Sequence, residues 1–358
     1  MLHSAYLVLA AIIVSSVWAP RPVLAQEHGT LQTDLIFYGD NTEFHNPFRQ
    51  GETIFGTAVR LSALLDLTDR VRIALGGFGN VRFGSEDAFE LVRPVIALTL
   101  LGQRSSFVFG TLSTPRIGSP PGPDRTGPHG LLPPLQRETL AFDRPYEAGL
   151  AWTFTGSTVR HELWIDWQRV NTADHRERFD GGVNAELQIA PYVTLPMQLH
   201  VSHEGGQLFA SGPVADSAAV AVGVALARPV GRLERLMLEV YGLGSRFELD
   251  RSAPPGPLRG AAFLGRASAE RAGWRGHLLF WRGKDFITDE GDPNYLSVRS
   301  NGQRYRGMRD YAETGVTRTF RPAPGVLVEA SGRLHRIEKD YEYSFRVVAT
   351  AAFGWRVR

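Results

Sequence analysis

The stretch Tyr343-Ser-Phe-Arg-Val-Val-Ala-Thr-Ala-Ala-Phe-Gly-Trp-Arg-Val357 decides the fold. Its odd positions, Tyr343, Phe345, Val347, Ala349, Ala351, Phe353, Trp355 and Val357, are all apolar. Its even positions, from Ser344 and Arg346 to Gly354 and Arg356, are mostly small or polar. Period-2 alternation places the two sets on opposite faces of one strand. Aromatics stand at both ends of the apolar face with small aliphatics between them, as in a strand that crosses a bilayer between two aromatic girdles. A one-residue slip would turn Arg346 and Arg356 toward lipid, at a cost of up to roughly 2–4 kcal/mol for an arginine near the midplane.

Working outward, sixteen segments have strand character: 31–40, 52–66, 70–83, 89–101, 105–112, 146–155, 158–169, 180–190, 192–203, 215–228, 233–247, 259–271, 274–284, 309–320, 325–337 and 342–357. Most reach the roughly 9–11 residues that a tilted membrane strand needs. Short connections, such as Thr68-Asp69, Gly156-Ser157 and Gly231-Arg232, alternate with mostly longer polar ones, such as 41–51, 113–145, 204–214 and 285–308. Outer-membrane barrels have short periplasmic turns, long external loops and an even strand count. The rhythm therefore predicts an all-β transmembrane antiparallel barrel of about 16 strands over 26–358. Pro94 and Pro196 fall inside strands, where each removes a ladder donor, and predict bulges.

Residues 1–25 read as a secretory signal peptide: an apolar run from Ala5 to Val17, a break at Pro20-Arg21-Pro22, and small residues before Gln26. No later apolar segment is long enough for a membrane helix. The chain has no cysteine, so an exported fold must stand without disulfides. The formal charge of +2 implies no nucleic-acid partner. A composition of 43% hydrophobic residues fits a barrel as well as a soluble sandwich, so strand rhythm decides between them.

Several strands repeat the logic of the last. Phe55, Val59, Leu61 and Leu65 oppose Ala58, Arg60 and Ser62, and Leu195, Met197 and Leu199 oppose Gln198, His200 and Ser202. Strands 4, 13 and 14 alternate poorly and receive no face. Sixteen strands enclose room for an aqueous channel. The inward parity then predicts a basic pore wall of Arg60, Arg72, Arg82, Arg333 and Arg346, with Asp34 and Glu329 among them. Opposite stands an acidic wall of Glu162, Asp166, Glu186 and Glu239. Such walls would sort solutes by dipole and charge.

The longest connection, 113–145, carries eight prolines and the apolar patch Leu131-Leu132-Pro-Pro-Leu135. It reads as stiff and packed against something. In strand count and loop order the mature chain resembles the general bacterial porins, whose long third loop folds inward and narrows the pore. The segment Gly127–Leu135 through Arg144–Leu150 is similar to uncharacterised porin-like bacterial proteins. The resemblance implies a constriction loop, with Asp124, Glu138 and Asp143 as candidates to face the arginine wall. The chain departs from the porin pattern where Arg356-Val-Arg358 follows Trp355, in place of a terminal aromatic.

His200 and Ser202 share a strand face, as a base and nucleophile would, but the pair is a weak signal and points into the lumen. Asp289-Glu-Gly-Asp292 lacks full calcium-loop spacing, and the histidines show no metal spacing. The expectation is a porin-like outer-membrane channel for passive diffusion of small hydrophilic solutes. No catalytic residues, metal or cofactor are expected. Expected partners are outer-membrane lipid, the solutes, the barrel-assembly machinery and further copies in a homo-oligomer. A polysaccharide conduit, a surface adhesive barrel and an enzyme built on His200 and Ser202 are the alternatives.

Overall fold

The computed structural model describes residues 28–112, 128–209, 212–254 and 256–357. The expected signal peptide and Asp124 lie outside these residues. Sixteen strands follow in order: β1 (His28–His45), β2 (Gln50–Thr68), β3 (Val71–Arg82), β4 (Leu91–Leu101), β5 (Ser105–Thr111), β6 (Ala148–Thr155), β7 (Val159–Arg169), β8 (Glu177–Ala190), β9 (Val193–Gly205), β10 (Ala215–Val230), β11 (Leu233–Glu248), β12 (Leu258–Arg271), β13 (Trp274–Lys284), β14 (Met308–Ala323), β15 (Val326–Ile337) and β16 (Asp340–Val357). Each pairs antiparallel with its chain neighbours, and β16 closes on β1. The predicted count of 16 and the closed all-β barrel are both found. Closure leaves no unpaired edge in the bilayer, where bare backbone groups have no solvent partner.

The alternation of the sequence is realised as an inside-out distribution. On β16, Tyr343, Phe345, Val347, Phe353 and Trp355 are exposed on the outer face, whereas Glu342 and Ser344 are buried on the inner one. On β2, Phe55, Val59 and Leu61 face out, and Ala58, Arg60 and Ser62 are buried. In β1 and β2 the ladder runs past the expected boundaries, through Thr42↔Glu52, so only 46–49 connect them. Polar side chains do not end a ladder whose backbone groups still find partners.

Neither internal proline makes a bulge. The register of β3 with β4 passes Pro94 unbroken, and the Pro94 carbonyl accepts from the Tyr146 hydroxyl at 2.9 Å. At Pro196 the pairing with β8 continues, while that with β10 lapses between Thr194 and Met197 and resumes in the same register. The missing donor is accommodated by a gap in the ladder.

The lumen is occupied. Residues 128–147, with a helical turn at Leu140–Asp143, and residues 285–307, with a 3-10 turn at Pro293–Tyr295, fold into the barrel from the same end. Leu131, Leu132, Leu135, Phe286 and Tyr295 form one buried cluster with inward Trp164, Tyr241, Leu264, Trp281 and Tyr311. Phe142 stacks on Tyr38 in a second cluster. Here lies the reason β13 and β14 alternate poorly. Leu279, Trp281 and Tyr311 are apolar and inward because they meet these two plug loops and not water.

Candidate active site

The plug is held by charge as well as by apolar contact, both to the wall and between its two loops. Toward the basic side it presents acids: Asp143 accepts from Arg82 at 2.8 Å, and Glu138 pairs with Arg333 at 3.0 Å and with Arg346. Toward the acidic side the first loop presents His129 and Arg144, and the second loop adds the acid Glu290. His129 is buried between Glu147 and Glu162, 2.9 Å from each, and stacks on Trp164 with ring centroids 3.8 Å apart. Burial opposes the imidazolium charge, but the two carboxylates outweigh it and push His129 up to about 10. Arg144 donates to Asp180 at 2.8 Å and to Glu290 at 2.9 Å, with Asp166 at 4.0 Å. Held by these carboxylates, the guanidinium is pushed above its ordinary range despite burial.

The remaining residues of the two expected walls find nearer partners. Arg60 donates to the Leu112 carbonyl at 3.0 Å, and Arg72 pairs with Asp66 at 2.6 Å. Glu186 pairs with Arg160, and Glu239 pairs with Arg266 and accepts from the Tyr241 hydroxyl. Gln32 donates to Asp34 at 2.9 Å, and Thr319 donates to Glu329 at 3.3 Å.

His200 and Ser202 do not serve one another. His200 Nε2 lies 3.6 Å from both Asp180 and Glu290, whereas Ser202 Oγ donates to Asp289 at 2.8 Å. Asp180, His200 and Glu290 bring three ligand-type atoms within 4.8 Å, a grouping that local spacing could not foretell because Glu290 comes from the second plug loop. Both carboxylates are already bridged by the Arg144 guanidinium.

A different serine has the geometry of a nucleophile. Ser344 Oγ lies 2.8 Å from His335 Nε2, and His335 Nδ1 lies 2.7 Å from the Tyr311 hydroxyl. Tyr311 in turn donates to Glu313 Oε2 at 2.6 Å, and that oxygen is 3.4 Å from His335 Nδ1. With the tyrosine hydroxyl donating its proton to a hydrogen bond with Glu313, its oxygen accepts from His335, and the network assigns the His335 proton to Nδ1. Nε2 is left with its lone pair toward Ser344. The chain Ser344, His335, Tyr311, Glu313 is thus nucleophile, base and orienting acid in one line. Glu313 is anchored by His277 Nε2 at 2.8 Å and faces Arg333 at 3.8 Å.

The barrel register assembles this site. Arg333 stands directly opposite Ser344 in the β15–β16 ladder, and His335 stands opposite Glu342, so His335 and Ser344 meet on the diagonal. Arg346 follows on the same inward face. These groups line a lumenal cavity of about 70 Å³, with Glu138, Pro133, Asn294 and Tyr295 of the plug on its other side. Sequence reading placed Arg333 and Arg346 inward but passed over His335 and Ser344. The available signal was their shared inward parity on two strands joined by a short turn.

A model of the family described as lipid A 3'-O-deacylase-type matches residues 25–354. That match points to an enzyme and corrects the expectation of a channel that is not an enzyme. Among solved structures, an anion-selective porin from Comamonas acidovorans superposes with a TM-score of 0.54 at 10% identity, over 91% of this chain and 100% of that one. OmpT of Vibrio cholerae, in its trimer form, gives 0.53 at 9% identity over 91% and 99%. OccAB1 of Acinetobacter baumannii gives 0.51 at 9% over 92% and 98%. At these identities the likeness is one of fold, and it is to outer-membrane barrels. No curated protein matches the chain. The molecule shares the closed-barrel fold of these outer-membrane proteins.

Proposed function

The chain belongs to the lipid A 3'-O-deacylase-type family, and from that premise we propose that it hydrolyses an O-acyl ester of an outer-membrane lipid with Ser344 as nucleophile. The observation that carries this reading is the unbroken line of hydrogen bonds from Ser344 through His335 and Tyr311 to Glu313. His335 Nε2 takes the Ser344 proton as Oγ attacks the acyl carbonyl. The oxyanion forms beside the guanidinium groups of Arg333 and Arg346, which favour negative charge in a site shielded from bulk water. His335 returns the proton to the departing sugar oxygen, leaving the acyl group on Ser344. Water, deprotonated by His335, then releases the fatty acid and restores the serine. The sum is ester plus water giving acid plus alcohol.

The cavity has room for water but not for an acyl glycolipid, so the reading requires the plug to yield where Glu138 holds Arg333 and Arg346. Fatty-acid release from purified lipid A by the refolded barrel, with fluorophosphonate labelling in parallel, tests it. Loss of both in Ser344→Ala supports the assignment. Undiminished release by that variant removes Ser344 from the mechanism.

A second reading, passive diffusion of small hydrophilic solutes, is favoured by the porin fold alone. The filled lumen weighs against it. Single-channel recording in a planar bilayer decides: stable open steps at rest would support it, and a silent but folded barrel would reject it.

A further inference from the structure

Across the lumen from Ser344, the wall of β8 and β9 meets the second plug loop in a cluster that the proposed hydrolysis does not use. Asp180 comes from β8, His200 from β9, and Glu290 from the acidic motif Asp289–Asp292 of that loop. Gly182 stands directly opposite His200 in the ladder, and Asp180 lies two residues away on the same inward face. With no side chain at Gly182, nothing on that face of β8 separates the imidazole from Asp180. All three side chains are at most 4% exposed.

The distances limit what this cluster can hold. His200 Nε2 is 3.6 Å from Asp180 Oδ2 and 3.6 Å from Glu290 Oε2. At that length it makes no hydrogen bond, although it is buried and aimed at two acceptors. Ligand bonds of about 2.0–2.2 Å in a tetrahedral metal site set the ligand atoms about 3.3–3.6 Å apart. The observed spacing is thus long for hydrogen bonds and right for two edges of such a tetrahedron.

Charge points the same way. Asp166, Asp180, Asp289 and Glu290 gather around only two guanidinium groups, Arg144 and Arg178. With the four carboxylates ionised, the cluster is short of two positive charges, which is costly in a buried place. Arg144 NH2 donates to both Asp180 Oδ2 and Glu290 Oε2, at 2.8 and 3.0 Å. Its NH1 rests on the other oxygen, Glu290 Oε1, where Arg178 also donates at 3.3 Å. An ion on Oδ2 and Oε2 therefore displaces one arm of Arg144 and leaves Glu290 otherwise held.

We infer that Asp180, His200 and Glu290 bind a divalent transition-metal ion of the zinc class, which ties the second plug loop to β8 and β9 in place of one arm of Arg144. Water completes the tetrahedron. An imidazole among carboxylates selects such an ion over magnesium or calcium, which take six or more oxygens. The inference concerns what seats the plug and is independent of the Ser344 chemistry.

The test uses the untagged, refolded barrel, stripped with chelator and titrated with Zn2+ by calorimetry. The expected result is one ion per chain. His200→Ala should weaken binding on the order of 100-fold, the upper range for damage to a metal's ligand shell. Arg144→Met should tighten it about 10-fold or more, because a cation competing for the same oxygens is gone. Zinc should also protect residues 285–307 of Arg144→Met from trypsin, relative to the same variant in chelator. Heat-modifiable gel mobility confirms that each variant is folded. X-ray absorption at the zinc edge of the parent needs no variant and should show a single imidazole among N and O ligands. No saturable binding, undiminished binding by His200→Ala, or unchanged affinity in Arg144→Met overturns the inference. So does a zinc shell with no imidazole or with two, or a loop equally open to trypsin with and without zinc.

Discussion

Arg144 and Glu290, 146 residues apart, join the two loops that fill the barrel: NH1 of the guanidinium donates to Glu290 Oε1 at 2.9 Å and NH2 to Oε2 at 3.0 Å. The pair is bidentate, and the Glu290 side chain is 4% exposed. Asp180 on the wall receives the same guanidinium, so one arginine ties the first loop to both the second loop and the barrel.

Breaking this tie should loosen the plug without opening the barrel. Arg144→Met removes the guanidinium that bridges Glu290 and Asp180 and leaves Glu290 with Arg178, 3.3 Å away, as its remaining guanidinium. The loss is up to roughly 3–5 kcal/mol, as where a buried pair is deprived of one member. Limited trypsin digestion of the refolded variant should cut within 128–147 and 285–307, while the barrel keeps its heat-modifiable mobility. Protection equal to that of the parent would show that the apolar cluster alone holds the plug.

The plug should also respond to alkali. Burial disfavours charge on His129, but Glu147 and Glu162 raise it from 6.5 to about 10. A group whose value is raised in the folded state stabilises below its unfolded value, and that contribution fades as pH climbs through the folded one. The anchoring is therefore complete below about pH 6.5 and is lost toward pH 10. Hydrogen exchange or protease access in 128–147, followed from pH 6 to 10.5, should rise with pH. His129→Phe should abolish most of that rise, and a flat parent profile would exclude His129 as the cause.

Glu290 acts in the opposite direction. Burial opposes its charge, yet Arg144 holds its carboxyl well below the ordinary range. A depressed carboxyl stabilises above its unfolded value, about 4.5, and the contribution is lost only as pH falls through the folded one. The Arg144–Glu290 tie should thus survive mild acid. Loop protection at pH 4 should match that at pH 6, and release of 285–307 near pH 4 would contradict the pairing.

In the proposed relay, Tyr311→Phe removes the hydroxyl between His335 and Glu313 while keeping the ring. Ester hydrolysis should fall about 10–100-fold with KM nearly unchanged, because orientation of the base is lost and ground-state binding is not. Ser344→Ala should cost on the order of 10³-fold or more, as loss of a nucleophile does. A Tyr311→Phe effect confined to KM would mean that the tyrosine shapes the cavity and does not position His335.

Phe286 tests the apolar half of the plug. It is fully buried against Trp281, with ring centroids 6.1 Å apart. Phe286→Ala should destabilise the seated plug by about 3–5 kcal/mol. Planar-bilayer recordings should show conducting events in the variant more often than in the parent. Identical records would mean that the second loop contributes no seal.

Much of this architecture was legible in the chain. Period-2 alternation in Tyr343–Val357 and Phe55–Leu65 specified faces, because a strand has only two and a lipid face tolerates few charges. The strand count followed from the spacing of turns. The inward cluster of Arg333 and Arg346 was legible for the same reason. Strands β13 and β14 were not, since Trp281 and Tyr311 face inward toward loops that no local pattern announces.

What the sequence by itself determined, then, was the closed barrel and the direction of most side chains, since both rest on neighbouring residues and a two-faced strand. Only the tertiary structure decided what fills the lumen and which serine meets a base. Glu138 reaches Arg346 across 208 residues, Arg144 reaches Glu290 across 146, and Ser344 reaches His335 through a ladder diagonal. Those meetings depend on where loops land inside a closed wall, a long-range packing problem for which composition and periodicity carry no signal.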